Sequence, residues 1–302
     1  MVFIGHRVLR IGAVALALAW GGLSPAALRA QDRPIQLGSP QGGSVDELTG
    51  EDRDPLQVTG FGVGDFSWDP RSGDNTARAG KLAVAFFREL SDRFWFFGQL
   101  TTALASGDEE GDAAVGDEVP TEIEIDNFLV NFTPSPGSGL SLAAGKFDVP
   151  VGFERDDEPL NFQASSSYNF ELARPAKMVG LVGRWSVNPS VDLTAMLGNG
   201  WDAQVDANKQ KTGGMRIGFL PTEHASVGVS GLLGGEGEPG AVHQRYLLSL
   251  DYAFEPSRNW IVAGEANRGG EREALADGGD AAWSGVTLTL FRRLGEHVGA
   301  TL

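Results

Sequence analysis

From Leu56 onward, apolar and polar residues alternate with a period of two in segments of about ten residues, the spacing of strands that present one face to oil and the other to water. Tyr246, Leu248, Leu250, Tyr252 and Phe254 share one face of such a segment, and Arg245, Ser249 and Asp251 share the other. Val191, Leu193, Ala195 and Leu197 alternate with Asp192, Thr194 and Met196. Ala225, Val227, Val229 and Leu233 alternate with Ser226, Gly228 and Ser230. Phe94, Phe96, Leu100 and Leu104 flank Gln99, Thr101 and Ala103; Val179, Leu181, Trp185 and Val187 flank Arg184; Met215, Ile217 and Phe219 flank Arg216.

The connections carry a second signal. Short turns at Ser91-Asp92-Arg93, Pro134 to Gly139, Asn188-Pro189-Ser190, Pro221 to His224, Glu255 to Arg258 and Arg293 to Glu296 take turns with longer loops at 69–79, 106–120, 148–177, 200–212, 234–242 and 268–281. A soluble β-sandwich or propeller does not need that strict order, whereas a transmembrane barrel has short turns on one side and long loops on the other. The pattern predicts an all-β fold, an antiparallel transmembrane β-barrel of about 12–16 strands. About twelve complete strands precede a further one starting at His297, so we read the barrel as incomplete at the C-terminus, with a twelve-stranded barrel and a short tail as the alternative.

The N-terminus changes the picture by adding export. His6, Arg7 and Arg10 precede an apolar run from Ile11 to Trp20, and Leu28-Arg29-Ala30 before Gln31 fits a cleavage site. The run is short for a membrane span, so uncleaved anchoring is the weaker reading. Three segments follow: a signal peptide at 1–30, a polar periplasmic leader at 31–55 and the barrel at 56–302. With 24 Lys and Arg against 40 Asp and Glu, the chain lacks the basic surface that nucleic acid requires. The sequence contains no cysteine, which excludes disulfides and thiolate chemistry.

One stretch is more specific. Gly145-Lys146-Phe147-Asp148-Val149-Pro150-Val151-Gly152-Phe153-Glu154, then Asn161-Phe162 with Ser165-Ser166-Ser167-Tyr168, and later Asn199-Gly200-Trp201-Asp202, resemble the outer-membrane β-barrel porins grouped as the porin 2 family. The resemblance implies a strand ending in a GKF-x-x-P-x-G-x-E segment, a folded loop, an NGWD turn two strands on, and a bacterial outer-membrane location. It implies a porin-like channel for passive diffusion of small hydrophilic solutes or ions. The expected surroundings are outer-membrane lipid and lipopolysaccharide, with a trimeric homo-oligomer by analogy and no cofactor.

Strand parity places Glu124, Asp126, Arg184, Arg216, Arg245, Asp251 and Glu265 on the lumenal side, where charges of both signs select permeants, or are merely solvated. In the loop at 148–177, Asp148, Glu154, Phe162 and Tyr168 are the candidates for narrowing the lumen, the aromatics serving as anchors; a loop packed outside the mouth is the rival arrangement. Glu124 and Asp126 also admit an acid/base or metal pair, and Gly107 to Asp112 admits Ca²⁺ binding, although its ligand order is not that of an EF-hand. Gly228-Val229-Ser230-Gly231 misses the spacing of a nucleophile elbow, and Gly60, Gly62 and Gly64 lack the last glycine and the βαβ context of a dinucleotide site. No enzyme is expected. The other functional readings are a non-conducting structural or adhesive barrel, to which inward-parity Phe87, Trp95 and Phe97 lend weight, and an outer-membrane lipid hydrolase.

Overall fold

The computed structural model describes residues 9–11, 56–68, 75–104, 121–157, 160–163, 165–275, 277–295 and 299–302. The elements are β1 (Leu9–Ile11), β2 (Gln57–Trp68), β3 (Asn75–Ser91), β4 (Phe94–Leu104), β5 (Thr121–Phe132), β6 (Leu140–Asp148), α1 (Tyr168–Ala173), β7 (Lys177–Asn188), β8 (Val191–Gly198), β9 (Thr212–Thr222), β10 (Ala225–Glu236), β11 (His243–Ser257), β12 (Trp260–Glu271), β13 (Ala281–Arg293) and β14 (Gly299–Thr301). Each strand pairs antiparallel with the next, giving one fourteen-stranded sheet in sequence order. This is an antiparallel transmembrane β-barrel wall; among the described residues no ladder joins β14 to β1. β1 falls within the segment read as a signal peptide and pairs only with Phe66, Ser67 and Trp68 of β2. The leader at 31–55, the acidic run at 107–112 and His297 lie outside the described residues.

The two faces invert the order of a soluble protein. Leu288 is 63% exposed and Val286 79%, whereas Asp251 and Glu265 are at 0% and 1%. Apolar side chains on the outside and ionised ones inside suit hydrocarbon around the wall and polar groups within it. No helix among the described residues is long and apolar enough to cross a membrane, so the strands make the crossing.

Three predicted loops are shorter than the sequence suggests. β10 continues to Glu236, β12 to Glu271, and β3 already starts at Asn75. Glycines misled the reading at β10 and β12, because Gly234, Gly235, Gly269 and Gly270 look like loop residues yet lie in the ladder. A Cβ on Gly269 would sit 2.2 Å from the Trp283 indole, one on Gly270 2.7 Å from the Tyr246 ring, and one on Gly234 1.9 Å from Thr212 Oγ1. These glycines make room for side chains of neighbouring strands.

The same logic gives a test of packing. A Cβ at Gly180 would lie 2.1 Å from the Leu197 carbonyl oxygen and 2.6 Å from the Gly198 Cα, both backbone, whereas at Gly213 nothing lies nearer than 3.8 Å. Gly180→Ala is expected to cost about 1–3 kcal/mol, and Gly213→Ala less than about 0.5 kcal/mol. Urea unfolding midpoints in micelles, followed by tryptophan fluorescence, measure both; equal midpoints contradict the close approach.

Candidate functional site

The inner face is organised by register. Across β6 to β13 one row of partners runs Ser141, Arg184, Thr194, Arg216, Ser230, Ser249, Asn267, Gly285. The neighbouring row runs Asp192, Gly218, Gly228, Asp251, Glu265, Thr287 from β8 to β13. Arg216 reaches from β9 over β10 to Asp251 of β11 and holds it with two prongs, Nη1 to Oδ2 and Nη2 to Oδ1 at 2.8 Å. Gly228 lies beneath the guanidinium, where a Cβ would be 2.0 Å from Nη2. Arg245 donates to Glu271 from Nε at 2.9 Å and Nη2 at 2.7 Å, with its guanidinium 5.1 Å from the Trp201 ring centre.

The segment at 149–176 folds against this inner face. Glu265 of β12 accepts the backbone N–H groups of Phe153 (2.5 Å) and Glu154 (3.3 Å), and donors from Asn169 (3.3 Å), Arg174 (3.3 Å) and Asn267 (3.0 Å). Gly152, at φ 77°, is required there, since a Cβ would lie 2.2 Å from the Glu265 carboxylate. Arg174 Nη2 donates to the Glu154 carbonyl at 2.6 Å, and Trp283 Nε1 to the Ala173 carbonyl at 2.9 Å. The Glu154 carboxylate accepts Ser167 N–H at 3.1 Å, Ser167 Oγ at 2.8 Å and Gln163 Nε2. Burial raises the Glu154 pKa, opposed by the Ser167 donors.

Apolar contacts reinforce these bonds. Val149 and Val151 pack with inward-facing Phe147, Met178, Val182, Met196, Leu232 and Leu247 in one buried cluster. Phe153 packs with Ala253 and Ala263 in another, with Phe162 against it. Ala263 is nearer to the Trp260 end of β12 than to the Glu271 end, so the segment descends well into the interior.

A second anchor lies five to eight strands away, on β4 to β7. Lys177 Nζ sits 2.8 Å from Asp126, 2.5 Å from Asp148 and 3.0 Å from Asp156. Gln99 of β4 donates to Asp126 at 2.9 Å and to Asp157 at 2.7 Å. For Asp156, burial works upward, but Lys177 and Lys81 outweigh it and hold the carboxyl below its ordinary range. Burial and repulsion from Asp148 push Asp157 up to about 6, against the Gln99 hydrogen bond and the two lysines. A single residue, Arg155, separates Glu154, bound at β12, from Asp156, bound on the β5–β7 side. An extended chain covers about 3.5 Å per residue, so these walls face each other across a short gap bridged by the loop.

The NGWD turn locks the loop from above. Asp202, at φ 52°, accepts the N–H groups of Ala176 (2.9 Å) and Lys177 (2.7 Å), while Glu236 accepts Trp201 N–H at 3.2 Å and Thr212 Oγ1 at 2.5 Å.

The sequence candidates divide accordingly. Asp126, Arg216, Asp251 and Glu265 are buried on the inner face, and Arg184 and Arg245 are partly buried there. Glu124 lies at the exposed strand end, bound to Lys146 at 2.6 Å and Gln204 at 3.2 Å. Glu124 and Asp126 therefore serve separate lysines and form no acid pair. Carboxylates of Asp126, Asp156 and Asp157 lie within 4.8 Å of one another, but the Lys177 ammonium supplies the cation between them. Asp148, Glu154 and Phe162 take part in the loop's anchoring, Phe162 through a 4.7 Å ring contact with Phe291. Tyr168 does not anchor: it is 82% exposed. The six residues of α1 turn Asn169, Phe170 and Ala173 inward and leave Tyr168 and Leu172 on the opposite side. Sequence reading missed Gln99, Arg155, Asp156, Asp157, Asn169, Arg174 and Lys177; of these, only the polar residues within the long loop gave any signal.

Glu265→Ala removes the acceptor for five donors and strands Arg174, a loss of about 3–5 kcal/mol for a broken buried pair. In detergent-folded protein, trypsin is expected to cut after Arg155 in the variant and not in the parent; equal resistance rejects the anchoring role. The Asp157 carboxyl offers a pH handle. Its pKa of about 6 in the docked loop exceeds the free value of about 3.9, so the docked state binds the proton more tightly. Docking is strengthened as pH falls through 6 and carries the full penalty of the ionised form above it. Hydrogen exchange of loop amides, corrected for intrinsic rates, should slow from about pH 7.5 to about pH 5 and lose that trend in Asp157→Asn.

Comparison with known proteins agrees with this architecture. A family profile described as "Putative beta-barrel porin-2, OmpL-like" matches residues 97–302. Comparison with curated proteins gives no match. Among solved structures, an anion-selective porin from Comamonas acidovorans is similar with a TM-score of 0.51 and 12% identity, over 80% of this chain and 75% of that one. A loop L8 deletion mutant of OmpT, an outer membrane protein of Vibrio cholerae, gives 0.42 and 12%, over 80% and 90%. The profile match covers more than half of the sequence, and the chain therefore belongs to the beta-barrel porin-2, OmpL-like family of the bacterial outer membrane.

Proposed function

We propose that this protein is a channel for passive diffusion of small hydrophilic solutes or ions across the outer membrane, and not an enzyme. The observation that carries the reading is the inner face itself. Rows of charged and hydrogen-bonding side chains line β4 to β13, as a water path requires. Glu124, Asp126, Arg184, Arg216, Arg245, Asp251 and Glu265 contribute the lining charges, and the segment at 149–176 narrows the lumen. Residues 1–30 direct export and are removed, 31–55 form a periplasmic leader, and lipid with lipopolysaccharide surrounds the wall.

A non-conducting barrel has one specific observation in its favour. Val149 and Val151 close an apolar cluster with six inward-facing residues, so that sector of the interior is packed and dry. Outside that cluster Arg184, Arg245 and Glu271 keep part of their surface open, and the proposed path runs past them.

Single-channel recording of the folded full-length protein in a planar bilayer decides between the readings. Discrete current steps that grow with salt concentration are expected. Silence from protein that shows heat-modifiable migration rejects the channel.

A further inference from the structure

A cavity of about 280 Å³ lies on the inner face at the long-loop end of the wall, between α1, the Trp201-Asp202 turn and the near ends of β11, β12 and β13. Arg245 and Glu271, direct partners across β11 and β12, line it together with Trp283, whose partner in register is Gly269. Gly269 leaves room for the Trp283 indole, and Nε1 of that indole is fixed on the Ala173 carbonyl at the end of α1. Trp201 meets Trp283 edge-to-face, with ring centres 6.0 Å apart at 86°, and its own backbone N–H is held by Glu236. Wall, helix and turn therefore each fix part of one cavity that two indoles border.

The charges around this cavity do not favour an ion of either sign. Arg245 is paired with Glu271, and Arg174 with Glu265. An anion entering the cavity would meet the carboxylates of Glu171, Asp202 and Glu271, and a cation the guanidinium groups of Arg174 and Arg245.

Hydrogen-bonding capacity, in contrast, is left over. Arg245 gives both Nε and Nη2 to the same oxygen, Oε2 of Glu271. Its Nη1 and the Glu271 Oε1 have no hydrogen bond among the described residues. The two side chains are 27% and 13% exposed, so spare donors and spare acceptors stand side by side on open surface. A hydroxyl group donates and accepts at once, and neighbouring hydroxyls on one molecule satisfy such a pair together. The C–H surface of the same molecule packs on indole. Uncharged, rich in neighbouring hydroxyls and apolar on its ring faces, a sugar meets all three conditions.

We propose that this cavity is a binding subsite for a neutral sugar free in solution, with Arg245 and Glu271 bonding its hydroxyls and Trp201 and Trp283 packing on its ring. The binding stands independently of conduction; its consequence, a preference for sugars among the permeants, rests on the channel reading.

The test starts with tryptophan fluorescence of heat-modifiable, detergent-folded protein titrated with D-glucose. A saturable change is expected in the parent. Arg245→Gln should weaken it about tenfold or more, the loss expected for a charge-assisted hydrogen bond. Arg245→Lys, which keeps a cation beside Glu271 and removes the guanidinium fork, should weaken it as well, and it decides the matter if Arg245→Gln does not fold. No saturable change in the parent, or equal affinity in the folded variants, overturns the subsite. Tighter binding of inorganic phosphate than of glucose overturns its preference for a neutral ligand. In planar bilayers, glucose should reduce the ion current of the parent saturably and that of Arg245→Gln less. A conducting parent that glucose does not block overturns the transport consequence and leaves the channel standing. A parent that binds glucose but never conducts supports the subsite and rejects the channel.

Discussion

Hydrocarbon offers a backbone amide no hydrogen-bond partner, and the rest of this structure follows from that constraint. Every strand must give its N–H and C=O groups to neighbours, which here means a sequential ladder from β2 to β14. A ladder has two faces, so a period of two in the sequence becomes lipid outside and a polar interior. The interior can then hold ionised side chains at almost zero exposure, because each can be met by a partner from another strand. Arg216 and Asp251 meet across an intervening strand only because Gly228 of that strand has no side chain.

The loop at 149–176 is part of the fold in the same sense. It carries its own polar backbone inside and has to satisfy it there, and Glu265 is how it does so on one side. One carboxylate collects two backbone N–H groups, two side-chain amides and one guanidinium. Such a charge is stable when buried because its acceptor capacity is filled. The apolar residues of the loop bury themselves on Met178, Val182, Met196, Leu232 and Leu247, so apolar and polar groups share the inner faces of the same strands.

The wall was legible because alternation survives in any single strand. Leu248, Ser249, Leu250 and Asp251 declare their faces without knowledge of their neighbours, and the short turns mark where the ladder reverses. The site was legible only where parity sufficed. Asp126 and Glu265 are buried, but their partners Gln99, Lys177 and Arg174 stand 27, 51 and 91 residues away and nothing local announces them. Lys177 opens β7 after a long loop and reads as an ordinary strand-end lysine until Asp126, Asp148 and Asp156 are brought around it. Tyr168 failed as an anchor for a related reason. Aromatic residues in a loop signal packing, but the single turn of α1, capped by Ser167, decides which ring turns inward, and it is that of Phe170. The strand glycines at 234, 269 and 270 reverse the usual inference, because their use is spatial and not conformational.

The two anchors of the loop are opposite in charge, and this fixes its register. On β12 the wall contributes the anion, Glu265, and the loop contributes N–H groups and Arg174. On β7 the wall contributes the cation, Lys177, and the loop contributes Asp156 beside the wall's own Asp126 and Asp148. Sliding the segment by one residue toward β7 would bring Arg155 to Lys177 in place of Asp156, and sliding it the other way, toward β12, would bring Asp157 there and leave Asp156 buried without its cation. Like charges at these separations repel in a medium where screening is weak, so the first slip is opposed by charge, and the second by the cost of leaving Asp156 buried and unpaired. The order Glu154, Arg155, Asp156, Asp157 thus favours one docked position, with Glu154 at Glu265 and Asp156 at Lys177.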